Sequence, residues 1–392
     1  IRLSLVGSEM CIRDRYDVGT KFMYDSGAVI PVEDKFESTG YDKSSVMEVI
    51  SSYYTVDGKQ YSMPFNVSTP MLYYNKDVFE AAGLDPETPP TTYDEVLEDA
   101  KKIVESGAAP VGYSQAIYGW FFEQQLAGLG VTYGNNDNGR KEAVTAVDFD
   151  SNGGGLKVFD MWKKLYDSGC FEDYGTTTAD TQTAFFSGQV GMIIESTAIL
   201  KNAVDSSPFE VGTGYLPRIE QNDEGGVIIG GGSLWLTDTG NEANEDAAWK
   251  FIEYITTPDV QAKWSMGTGY FAINEKAYET EDMKAYLEAA EKRGVLPMFY
   301  LELTSGLRRG DDDDKIRLNQ RKPSKYKGLS RFGPEKNLQR INKFMKERPI
   351  FYKNLIQMKE NFRFYLRCFY CITKVVILQF NSENRTELAR NG

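Results

Sequence analysis

The feature that most constrains this fold is an alternation of amphipathic helix patterns with short apolar runs. In "TTYDEVLEDAKKIVESG", Val96, Leu97, Ala100, Ile103 and Val104 share one face, and Thr92 precedes them with Glu95 three residues on. A threonine accepting from the third helical amide, with a glutamate reaching back, is a capping box and predicts a helix start. "NKDVFEAAGLDP" predicts a short helix stopped by Gly83, with Pro86 beyond it. "GLKVFDMWKKLYDSG" predicts a helix with Leu156, Phe159, Trp162 and Tyr166 on one side. "NEDAAWKFIEYITTPDVQAKW" predicts two helices, the first patterned by Ala248, Phe251, Ile252 and Ile255, the second opened by Thr257-Pro258. Between the helices lie "MLYY", "VGMIIE", "VGTGYLP" and "GVIIGGGSLWL", each short enough for a buried strand. Such alternation points to a layered α/β architecture, and no fixed-period repeat or apolar run of about 18 residues interrupts it.

Chemistry is bounded by what is missing. The chain has no histidine, which removes Ser-His-Asp and Cys-His nucleophile systems and histidine metal ligation. Four cysteines, Cys11, Cys170, Cys368 and Cys371, are too few for a disulfide scaffold, and the Cys368-x-x-Cys371 pair has no second pair with which to complete a zinc site. No paired carboxylates or Ser-Lys pair stand at catalytic spacing, so no catalytic residue, metal or cofactor is expected.

The net charge of −13 averages two unlike parts. From Arg308 to Gly392 there are 21 basic and 9 acidic residues, a net of +12, which leaves 23 basic and 48 acidic residues before it, a net of −25. "RRGDDDDKIRLNQRKPSKYKG" has no apolar periodicity, so residues 307–392 read as a basic tail joined to an unrelated acidic body. At the other end "LVGSEMCIRD", Leu5 to Asp14, looks like the translation of a transposase-type sequencing adapter, CTC GTG GGC TCG GAG ATG TGT ATA AGA GAC. Residues 1–15 are therefore set outside the fold, with native sequence starting near Tyr16 and any targeting segment upstream.

Several short stretches suit a ligand, each with a plainer alternative. In "YSMPFNVSTPMLYYNKDVF", Pro64 and Pro70 stiffen the chain around Asn66, Ser68 and Thr69, which presents hydroxyls or merely caps its own loop. "IESTAI", with Ser196 and Thr197, is equally two-sided. Gly230, Gly231 and Gly232 follow a β-branched run but lack the spacing of a phosphate loop; they suit a hinge, ligand contact or close backbone packing. "IYGWFF" sets Tyr118 and Trp120 after a turn, as a sugar-stacking platform or as core, and "TGTGYFAI" sets Tyr270 on a glycine-rich turn.

Taken together, "YDVGTKFMYDSGAVIPVEDKF", "QYSMPFNVSTPMLYYNKDVFEAAGLDPETPPTTYDEV", "FFSGQVGMIIESTAI", "VIIGGGSLWL" and "PDVQAKWSMGTGYFAI" resemble, in that order, family 1 extracellular solute-binding proteins of ATP-driven importers, nearest their glycerol-3-phosphate and sugar-binding branch. The resemblance spans roughly Tyr16 to Gly306. It implies a two-lobed, periplasmic-binding-protein-like (type II) α/β fold whose lobes close on a ligand and are then read by a membrane permease. Residues 16–70 with 231–281 would form lobe one, lacking its opening elements, and residues 71–230 with 282–306 lobe two, with crossovers near Pro70 to Leu72 and Ile229 to Gly232. Low solubility is expected of a lobe with uncovered strand edges.

By the same resemblance, Asp17, Ser68, Ser196, Gly231 and Tyr270 match ligand-contact positions, and Tyr118 and Trp120 would add an apolar wall. Asp17 stands where near relatives have glutamate. A phosphate-pairing arginine would fall among Arg308, Arg309 and Arg317, none in register. The expected partners are glycerol-3-phosphate, a glycerophosphodiester or a sugar, and permease subunits. The chain is expected to be a monomer on the extracytoplasmic side, periplasmic or lipid-anchored, with no nucleic acid bound. A carboxylate-based carbohydrate-active enzyme and a non-functional chimeric fragment are the alternatives.

Overall fold

The computed structural model describes residues 11–16, 19–138, 144–221, 223 and 225–295. The strands are β1 (Ile12–Tyr16), β2 (Val29–Ile30), β3 (Thr55–Val56), β4 (Lys59–Gln60), β5 (Met63–Ser68), β6 (Pro70–Asn75), β7 (Val111–Ser114), β8 (Val190–Ser196), β9 (Val211–Gly214) and β10 (Gly230–Thr237). Strand β10 organises the first four-stranded sheet. It pairs antiparallel with β1 on one side and with β5 and β2 on the other. The second sheet runs β7-β8-β6-β9, with β7 parallel to β8 and the remaining pairs antiparallel. The short β3-β4 hairpin stands apart. Mixed α/β layering is as the alternation predicts.

The second sheet is covered on both faces, which is why "MLYY" reads as an unbroken apolar run. On β6, Leu72 and Tyr74 point to one core, with Tyr113, Met192 and Ile194 beneath helices Tyr93–Ser106, Gly119–Gly128 and Gly154–Asp167. Met71 and Tyr73 point to the other, with Val190, Ile193, Phe185 and Leu200. The predicted capping box at Thr92 and Glu95 is formed, and the short helix Lys76–Ala81 gives way to left-handed Gly83.

A separate core belongs to the first sheet. Met63 and Val67 of β5 and Leu234 and Leu236 of β10 meet Phe36, Ile50, Trp249, Ile252 and Phe271. Strand to strand, the chain passes from the first sheet to the second between Ser68 of β5 and Pro70 of β6, and back between Gly214 of β9 and Gly230 of β10. The last helix among the described residues is Glu281–Lys292, whose Met283 and Leu287 pack on Ala262 and Ala277. Val295 then enters a core of the second sheet.

Four sequence expectations are corrected. Leu156, placed on the buried face of its helix, is 41% exposed, and the buried stripe is Val158, Met161, Trp162 and Leu165 together with Phe159. Phe251 is 53% exposed while Ala248, Trp249, Ile252 and Ile255 are buried. In both helices apolar residues span more than one face, and the neighbouring elements select the stripe.

The glycine run lies inside β10 rather than after a strand. The residues before it run along helix Gly119–Gly128, where Gln124 replaces a strand partner by donating to Ile228 O and accepting from Ile228 N, both at 2.7 Å. Residues 1–15 were expected to lie outside the fold, yet Ile12 to Arg15 pair with Leu236 to Ser233 as β1. The pairing runs through the backbone, so an extended segment of almost any sequence can cover that edge. The basic tail, with Cys368, Cys371, Arg308, Arg309 and Arg317, lies outside the described residues.

Trp249 tests the first core. It is 1% exposed, meets Phe36 and Tyr41 edge to face at 5.7 and 5.5 Å, and donates to Thr39 Oγ1 at 3.2 Å. Trp249→Ala is expected to cost about 3–5 kcal/mol, read as a fall in the urea midpoint. An unchanged midpoint would mean this core does not hold the sheet to its helices.

Candidate functional site

A single residue, Thr69, separates the strands of the two sheets where the chain steps from β5 to β6, and the candidate side chains gather around it. Ser68 ends β5 and pairs with Gly230, whereas Pro70 opens β6 and pairs with Ser196, the last residue of β8. Thr69 between them is locked to Thr197. Its carbonyl accepts from Thr197 N at 2.8 Å and its amide donates to Thr197 Oγ1 at 3.3 Å. Both threonines are buried, so this reciprocal pair satisfies main-chain groups that water cannot reach. The proline-bracketed stretch therefore brings Ser68 from one sheet and Ser196 from the other to the same junction.

Each hydroxyl there has a defined state. Ser68 is buried, and among the described residues its hydroxyl has no hydrogen-bond partner. Ser196 Oγ accepts from Ala198 N at 3.2 Å and so caps the turn Thr197–Ile199. Its proton remains available for donation, because a serine hydroxyl has one donor and two lone pairs. The Ser196 carbonyl accepts from the Tyr73 hydroxyl at 2.7 Å.

Gly231 reaches the junction for a steric reason. Its φ is +126°, and a Cβ there would stand 1.6 Å from Asn66 O. Only glycine lets β10 approach β5 so closely. Asn66 is itself held by Trp264, whose indole donates to Asn66 Oδ1 at 3.0 Å. Gly269 makes a second close approach, with a Cβ position 2.4 Å from Thr197 O at φ +98°. That turn delivers Tyr270, and Phe271 beside it donates to Val67 O at 2.8 Å. Tyr270 is thus set across from the end of β5. Burial pushes its phenol above the usual range, and the nearby Tyr16 phenol and Asp14 carboxylate push it further.

Trp120 and Tyr118 supply aromatic surface. The Trp120 ring lies 3.2 Å from the Cβ position of Gly230 and packs on Phe121 at 5.5 Å. Tyr118 precedes helix Gly119–Gly128, is 44% exposed and meets Phe121 edge to face at 5.9 Å. Ser68, Ser196, Gly231, Tyr270 and Trp120 are therefore brought together, with Tyr118 two residues from Trp120 on the entering turn. Asp17 lies outside the described residues.

Sequence reasoning passed over two residues beside the junction. Tyr16 is 76% exposed, pairs with Gly232 and stands near the Tyr270 phenol, and in the sequence it marked only the start of the family resemblance. Glu195 is 4% exposed and was hidden inside an apolar strand pattern. The arrangement offers neutral hydroxyl donors and aromatic faces, which suits capture of a hydroxyl-rich molecule rather than bond cleavage.

Comparison with known proteins identifies the family. The family model for the bacterial extracellular solute-binding protein matches residues 16–291. The chain is similar to the sn-glycerol-3-phosphate-binding periplasmic protein UgpB of Escherichia coli (strain K12), 32% identical over 317 residues, covering 78% of this chain and 72% of the relative. Its Pectobacterium atrosepticum counterpart is 31% identical over 318 residues, covering 78% and 71%. Among solved structures, UgpB from Mycobacterium tuberculosis in complex with glycerophosphocholine gives a TM-score of 0.64 at 22% identity, covering 74% of this chain and 71% of that one. The cyclic alpha-maltosyl-1,6-maltose binding protein from Arthrobacter globiformis gives 0.59 at 26% identity, covering 75% and 72%. The expected two-lobed fold is the one these structures share.

Gly231→Ala is expected to unfold or strongly destabilise the protein, by more than about 3 kcal/mol, because the clash is with backbone and the φ is wrong for alanine. A thermal melt checks it, and a wild-type midpoint would show that β10 can move off β5.

Proposed function

The chain belongs to the bacterial extracellular solute-binding proteins, and we propose that it captures a polyol phosphate, a glycerophosphodiester or a sugar between its sheets and hands it to an importer permease. The observation that carries this is the meeting of Ser68 and Ser196, one from each sheet, across the Thr69–Thr197 pair. A molecule bound by both would be contacted from both lobes at once, which is how ligand binding favours a closed form. On this reading residues 16–70 with 231–281 would belong to one lobe and residues 71–230 with 282–306 to the other.

In this mechanism Ser68 and Ser196 donate to ligand oxygens, Asp17 accepts from ligand hydroxyls, Tyr270 does either, and the Gly231 amide adds a donor. Trp120 and Tyr118 pack against the apolar face of the ligand. The glycerol-3-phosphate-binding relatives favour a glycerol phosphate or its diester. The sugar reading draws on the aromatic surface and on the net charge of −25 before Arg308, which repels anions at long range. No bond is made or broken, and the protein acts as a monomer on the extracytoplasmic side, periplasmic or lipid-anchored.

Calorimetric titration with sn-glycerol 3-phosphate, glycerophosphocholine and maltose distinguishes these ligands. One of them is expected to bind one to one, to be recovered unchanged, and at a hundredfold excess over Kd to add about 2.7 kcal/mol of stability. Release of free sugar or glycerol would instead establish an enzyme. Ser68→Ala is expected to weaken binding roughly five- to tenfold, the loss of one hydrogen bond of about 1 kcal/mol, with little change in the ligand-free melt.

A further inference from the structure

Glu195 is a buried carboxyl that the binding role above does not use. It is the penultimate residue of β8, pairs with Met71 in the middle of the second sheet and is 4% exposed. One oxygen accepts from the Ser196 amide at 2.7 Å and the other from Gln182 Nε2 at 2.8 Å. Gln182 sits on helix Thr178–Phe186, which packs on β8. The titratable groups facing Glu195 are the Tyr73 phenol of β6 and, behind it, Tyr286 of helix Glu281–Lys292; Thr178 is the other polar neighbour. Among the described residues no lysine or arginine forms an ion pair with it. Burial accordingly pushes its carboxyl above the usual range.

A carboxyl so placed is costly, and an apolar side chain in a buried sheet position would ordinarily be at least as stable. Its geometry explains its presence better than stability does. The bond to the following amide fixes the peptide between residues 195 and 196, and the Tyr73 bond to Ser196 O fixes the next one. The serine hydroxyl is then anchored on Ala198 N. Three contacts therefore determine where the Ser196 hydroxyl points.

We propose that Glu195 is a positioning residue for ligand capture, holding the Ser196 amide through a bridge to Gln182 so that the Ser196 hydroxyl is presented at the junction in one direction. This rests on the reading of Ser196 as a ligand donor. Glu195 itself touches no ligand.

The test compares Glu195→Met, Glu195→Gln and Ser196→Ala in the full chain. Readouts are amide hydrogen exchange at Ser196 and Ala198 without ligand, the thermal midpoint, and titration with sn-glycerol 3-phosphate and with maltose. Glutamine keeps an acceptor for the Ser196 amide, and a flipped Gln182 side chain can accept from its new amide, so Glu195→Gln should exchange and bind as wild type does. Glu195→Met should keep or raise the midpoint, yet exchange more than tenfold faster at Ser196 and bind roughly tenfold more weakly. Wild-type exchange and affinity in Glu195→Met would overturn the proposal. Loss of affinity that follows a fall in midpoint in both Glu195 variants would also overturn it, showing a structural role alone. If Ser196→Ala binds as wild type does, the donor reading of Ser196 fails, and the exchange data still decide whether Glu195 holds the turn.

Discussion

The reciprocal hydrogen bonds between Thr69 and Thr197 fix where one sheet ends and the other begins. At that point the chain must leave one hydrogen-bonded ladder and enter another, and the residue in transit belongs to neither. Its amide and carbonyl are buried and must still be satisfied. Thr197 does both with its own amide and hydroxyl, which is why a threonine rather than an apolar residue ends the "IEST" run. Two candidate ligand contacts, Ser68 and Ser196, are each one residue in sequence from this clamp and are placed by it.

The two glycines with positive φ at this place serve the same end. Gly231 lets β10 lie against β5 beside Asn66, and Gly269 lets the turn before Tyr270 close on Thr197. Neither needs a ligand to explain it. The donors stand close together because three backbone segments approach more tightly than a side chain at either glycine would allow, and such preorganised spacing is what a small polar ligand requires.

Much of this was legible in the sequence. Helix starts at Thr92 and Pro258 follow from local chemistry, capping and a missing amide, and they appear where expected. The buried strand β6 was visible as an apolar run. What failed was anything set by a distant partner. Leu156 and Phe251 belong to helices with more apolar residues than one face can hold, so neighbouring elements chose between them. The glycine run looked like a strand end because Gln124, far away in sequence, supplies the hydrogen bonds that keep Ile228 out of a ladder. Ser68 and Ser196 could be singled out by residue type and resemblance, but their meeting depends on register across two sheets. Glu195 gave no local sign, since its significance is a bond to the next residue inside a strand.

Strand β1 shows a further property of the first sheet. Its five residues, two of them arginines, are accepted at the edge of β10 almost entirely through main-chain pairing, with Ile12 reaching the core only in part. A slot read through the backbone places little demand on which residues fill it, so even a segment foreign to the fold can occupy it. The family match begins at residue 16, four residues after the strand itself begins. The register of that edge is set by the partner strand, where Gly232, Leu234 and Leu236 pair with Tyr16, Asp14 and Ile12.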